Sequence, residues 1–85
     1  MRIVRENLVT GREEVARYSG ITTSTGSAFT AEYAKEEAEK IGGRVESTPD
    51  ILSGRAVSTV YGADGVQVSR YVMEWPVEDD EENED

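Results

Sequence analysis

Carboxylates are the side chains through which this chain could do chemistry, because the other common reagents are absent. It carries 18 aspartates and glutamates, no histidine and no cysteine. Without histidine it lacks the commonest general base near neutral pH and the commonest metal ligand. Without cysteine it has no thiolate nucleophile, no thiolate zinc site and no disulfide. A serine or threonine nucleophile would need a lysine or carboxylate beside it. Both lysines, Lys35 and Lys40, lie in one helical stretch where no such partner is identifiable. Paired carboxylates remain at Glu13-Glu14 and Glu36-Glu37. Glycoside hydrolysis needs only two, but it also needs a cleft that holds a sugar and raises one pKa. A chain of 85 residues seldom builds such a cleft, and acids adjacent in sequence read as solvated faces. The expectation is a protein that is not an enzyme and that needs no cofactor or metal.

The charge is unevenly placed. Seven of the acids fall in residues 78–85, leaving eleven acids against nine bases in the rest. Those eight residues lack the spaced oxygen ligands and turn glycine of a calcium-binding loop. Like charges at that density repel and have no apolar anchor, so 77–85 is expected to be a disordered acidic tail. Residues 1–76 then form one small domain. Its near-neutral balance offers no basic patch of the density that phosphate binding requires. No apolar run is long enough to span a membrane and no signal-peptide core follows Met1, so a cytoplasmic protein is expected.

The elements that must position these side chains are legible in outline. Ile3, Val4, Leu8 and Val9 are strand-like, and Thr10-Gly11 reads as a turn into 13–18, giving a hairpin. The segment Arg12–Tyr18 suits a helix equally well by propensity. Thr22 to Ser27 reads as a polar connection without core residues. A helix over about 30–41 follows, capped by Thr30 and stapled by Phe29 against Ala34. Ala31, Ala34, Ala38 and Ile41 form its apolar stripe, and Gly42-Gly43 ends it. Arg44–Ser47 is a short strand ended by Pro49-Asp50. Ala56–Tyr61 and Val66–Trp75 then form a hairpin around Gly62-Ala63-Asp64-Gly65. With Asp64-Gly65 as the central turn pair, Tyr61 faces Val68, Thr59 faces Arg70 and Val57 faces Val72. Val60, Ser58, Ala56, Tyr71 and Met73 share the other face. The fold is expected to be α+β, a small antiparallel sheet packed on one helix in the order ββαβββ.

Tyr18, Tyr61, Tyr71 and Trp75, with Arg17 and Arg70, are the residue types that stack single-stranded bases. Packing against a sheet is the commoner use of such aromatics. Residues 12–29 also resemble the helix-turn-helix of repressors: Ala16, Gly20 and Ile21 fall at the expected places before the Thr/Ser-rich stretch Thr22–Ser27. Gly26 stands where that family has a branched apolar residue. The resemblance implies a regulator that binds nucleic acid.

Small size, acidity, this layout and the missing catalytic residues also resemble the small phage-encoded inhibitor proteins of the anti-CRISPR type. That resemblance is of kind, without a defining motif. It implies a protein-binding module whose carboxylates imitate phosphates on a basic surface of a nucleoprotein complex. The contacts it implies are Glu32, Glu36, Glu37 and Glu39 of the helix, with Glu78, Asp79 and Asp80 of the tail. Trp75, of a type enriched at binding hot spots, is a candidate anchor. A third reading is a structural or assembly subunit, which predicts self-association independent of the carboxylates.

Overall fold

Alternation in β-branched segments and one long run of small residues resolve into a sheet and a helix. In a computed structural model, residues 1–50 and 55–75 are described. Five strands, β1 (Arg2–Asn7), β2 (Gly11–Arg17), β3 (Arg44–Asp50), β4 (Arg55–Tyr61) and β5 (Gln67–Glu74), surround one helix, α1 (Thr23–Ile41), in chain order ββαβββ. The sheet is antiparallel with spatial order β2-β1-β5-β4-β3. The fold is therefore α+β, one helix on a five-stranded sheet.

Period-two alternation sorts the strands into an inner and an outer face. Ile3, Met73, Tyr71, Ser69, Ala56, Ser58 and Val60 are buried on the inner face beneath α1. The helix covers it with Gly26, Thr30, Ala34 and Ala38, one small residue at every fourth position. Small side chains let the helix axis approach the sheet. A Cβ at Gly26 would lie 2.7 Å from Met73 Sδ and 2.8 Å from Met1 Cε.

The helix begins seven residues before the expected start of 30, and Thr22 caps it by accepting a hydrogen bond from the Thr25 amide at 3.1 Å. Thr30 is a fully buried mid-helix residue whose hydroxyl donates to the Gly26 carbonyl at 2.8 Å. Phe29 packs on Tyr18, with ring centroids 4.9 Å apart. Residues 23–29 have modest helix propensity, and packing of Gly26 against the methionines outweighs it. At the other end Gly42 adopts φ +70°, and the Gly43 amide donates to the Ala38 carbonyl at 2.8 Å.

Residues 11–17 are strand, paired with β1 across a bulge after Ile3. The helix-turn-helix resemblance needs a helix there, so its first element is absent. Strand β3 extends through Pro49-Asp50, which a sheet edge tolerates because its outward amides need no partner. In the β4–β5 hairpin the turn centres on Ala63-Asp64, closed by the Gly65 amide donating to the Gly62 carbonyl at 2.9 Å. Gly65 sits at φ +83°. A shift after Val60 pairs Tyr61 with Gln67 instead of Val68, whereas Val57–Val72 and Thr59–Arg70 pair as expected.

Candidate functional site

Among the described residues no helix covers the outer face of the sheet, and arginine–glutamate pairs line it. Val4, Val72 and Val57 form its middle row, and Val4 is buried. Beside them runs an alternating chain: Arg17 to Glu14 at 2.7 Å, Glu14 to Arg2 at 3.6 Å, and Arg2 to Glu74 at 3.0 Å. It continues from Glu74 to Arg12, from Arg12 to Glu6 at 3.2 Å, and from Glu6 to Arg70 at 2.6 Å. Glu14 is held below the usual carboxylate range, chiefly by the Arg17 hydrogen bond. A shallow depression of about 300 Å³ opens at this face beside Leu8, with Arg12 and Arg70 on its wall. Both guanidiniums already hold Glu6, so the depression lacks the unengaged cations that a phosphate site needs.

On the inner side, Glu37 reaches from α1 to the sheet. Arg5 grips it with two bonds, Nε to Oε1 at 2.9 Å and Nη2 to Oε2 at 2.7 Å. Ser69 and Tyr71 donate to Oε1 at 2.9 and 2.7 Å. The Arg5 hydrogen bond, joined by those of Tyr71 and Ser69, outweighs partial burial and lowers the Glu37 pKa to about 2. Burial first, then the Glu37 contact, raises the Tyr71 phenol to about 12. Tyr71 stacks on Tyr33 at 6.4 Å, and Tyr33 shares a 3.1 Å hydrogen bond with Tyr18. Chemically, a carboxylate this acidic and this fully bonded holds no proton to donate near neutral pH. Glu37, one of the expected binding contacts, has both carboxylate oxygens engaged as a tether between helix and sheet.

The remaining helix acids behave differently. Glu32, Glu36 and Glu39 fall at i, i+4 and i+7, are exposed, and form no ion pair with a described residue. Of the other acids, Glu13 and Asp64 are also exposed without an ion pair, a distinction the sequence does not signal. Arg2, Arg5, Arg12, Arg17, Arg44 and Arg70 are all engaged by carboxylates. Only lysines, Lys35 and Lys40, stand exposed among the helix acids.

The aromatics do not form a common platform. Tyr71 and Tyr18 pack inward, and Tyr61 lies on the outer face under the Arg44 guanidinium, 4.4 Å from its ring centroid. Trp75, at the end of β5, is 38% exposed, while Glu78, Asp79 and Asp80 fall outside the described residues. Among the described residues no three acidic side chains cluster as metal ligands would, and no helix is long and apolar enough to cross a membrane. Comparison with family models, curated proteins and solved structures finds no match to this chain.

Proposed function

We propose that this protein is a non-enzymatic binding module whose helix carboxylates Glu32, Glu36 and Glu39 engage a basic surface of a partner protein. One observation carries the reading. The fold pairs six arginines with Glu6, Glu14, Glu37, Glu46 and Glu74, and leaves a row of carboxylates unpaired along one helix. A row of unpaired acids at one-turn spacing presents fixed negative charge to solvent, as a phosphate backbone does. The seven acids of 78–85 would add to the same field. Likeness to the small phage-encoded inhibitors narrows the partner to a nucleoprotein complex, whose phosphate-binding surface the carboxylates would occupy.

Electrostatic steering makes such binding fall steeply with salt. The test captures partners from a nuclease-treated bacterial lysate. It then measures affinity against salt for the full chain, for the triple variant Glu32→Lys/Glu36→Lys/Glu39→Lys, and for a chain ending at Pro76. At roughly 0.5–1 kcal/mol per exposed charge contact, the triple variant is expected to bind about tenfold to a hundredfold more weakly, with a flatter salt dependence. Unchanged affinity in both variants would sink the electrostatic reading.

A further inference from the structure

Four of the five large apolar side chains that stand exposed among the described residues gather at one end of the sheet. Leu8 is 88% exposed, Val9 91%, Val66 62% and Ile41 41%. The pairing of β1 with β5 sets Asn7 opposite Ser69, which brings the β1–β2 tip beside the start of β5, where Val66 lies. The pairing of Arg44 with Tyr61 puts the end of α1 at that same end. Branched side chains left this open forgo burial, and several that share one end of a sheet mark an interaction site more often than solitary ones do.

The tip is also held in shape. The Asn7 carboxamide oxygen accepts the Val9 and Thr10 amides at 2.7 and 3.0 Å, and its nitrogen donates to the Val68 carbonyl at 3.2 Å. Leu8 and Val9 therefore ride on a turn fastened to β5, so little ordering entropy remains to be lost on binding.

The charge around them selects the occupant. Arg12, Arg44 and Arg70, the arginines at this end, are engaged by Glu6, Glu46 and Glu74. Unpaired beside the apolar residues stand Glu13 on β2, Glu39 on α1 and Asp64 in the turn, opposed by Lys40. A second copy would set these acids against themselves. Four side chains also fall short of the roughly 800 Å² per partner that a standard interface buries.

Resting on the reading above, we propose that this end is an apolar anchor for the same basic partner. Leu8 and Val9 would enter a site lined by leucine-type side chains and rimmed by lysine or arginine, while Glu13, Glu39 and Asp64 meet the rim.

Two synthetic probes separate anchor from charge: a short amphipathic leucine–lysine peptide, and a lysine–serine peptide of equal length and charge. Each is titrated into the full chain by calorimetry, with backbone amide shifts followed by NMR. The leucine–lysine peptide is expected to bind about tenfold tighter, the scale of one modest hot spot. Shifts at residues 8–10 and 66 should report only that probe. Leu8→Ser/Val9→Ser, at two of the most exposed positions, should erase the difference and leave lysine–serine binding unchanged. Equal binding of the two probes by the parent chain, or a difference that survives in Leu8→Ser/Val9→Ser, would overturn the anchor. Dependence of the lysine–serine peptide on Glu32, Glu36 and Glu39 tests the acidic-face reading separately, so the two can fail independently. Light scattering that shows a dimer in the parent and a monomer in Leu8→Ser/Val9→Ser would overturn the basic partner in favour of a second copy.

Discussion

Glu36 and Glu37 are the same residue type one position apart, yet they end in opposite roles. A helix turns about 100° per residue, so Glu36 faces solvent while Glu37 meets Arg5, Ser69 and Tyr71. Replacing Glu37 by glutamine keeps the shape but removes the charge that Arg5 grips and puts an amide where acceptors are needed. That variant should lose on the order of 2 kcal/mol in urea unfolding, the scale of charged hydrogen bonds. The pH dependence follows from the direction of each shift. Glu37 has its folded pKa depressed from an ordinary 4.5 to about 2, so its contribution is present above pH 4.5 and fades as pH falls toward 2. Tyr71 has its folded pKa raised from 10.0 to about 12, so the stability it lends is present below pH 10 and fades as pH rises toward 12. Unfolding midpoints should therefore drop at both extremes in the parent. Glu37→Gln should flatten the acid limb, and equal acid limbs in parent and variant would contradict the tether.

At the scale of elements, α1 stands on small residues and two ends. Thr22→Ala removes the cap and should cost about 1 kcal/mol. At Gly43, where the chain leaves the helix, a Cβ would lie 1.8 Å from the Tyr61 carbonyl oxygen, on backbone that cannot step aside cheaply. Gly43→Ala should cost more than Thr22→Ala, on the order of 3 kcal/mol or above, because β3 and β4 must part to admit it. Both are read from urea midpoints at constant slope. A Gly43→Ala protein as stable as the parent would mean that the β3–β4 register is wrong. The β4–β5 hairpin, the helix stop and the alternation of β4 and β5 were legible because turn glycines and period-two patterns act within a few residues. The first two turns of α1 were not legible. Thr-Ser-Thr-Gly-Ser carries no apolar stripe, and only the groove around Met1 and Met73 gives Gly26 its place.

For the whole molecule, the distribution of charge matters more than its sum. Pairing six arginines on and through the sheet leaves, among the described residues, Glu32, Glu36 and Glu39 of α1 with Glu13 and Asp64 as exposed acids without an ion pair. Since Glu32, Glu36 and Glu39 are exposed and form no ion pair with a described residue, the triple lysine variant should unfold within about 0.5 kcal/mol of the parent. A larger loss would place those side chains in the fold and not at a partner.

By itself the sequence determined the α+β class, the order of α1, β3, β4 and β5, the lack of histidine and thiol chemistry, and the acidic run at 78–85. All of these rest on residue types and on patterns within a few positions. Tertiary structure decided which acids are engaged, that residues 11–17 are strand, and that Leu8, Val9, Val66 and Ile41 share one end. Those outcomes depend on pairs such as Arg5 with Glu37 and Asn7 with Ser69, far apart in the chain and joined only when the sheet forms. Local propensity is neutral on such pairs, and the burial and Coulomb energies that select them exist only in the assembled fold.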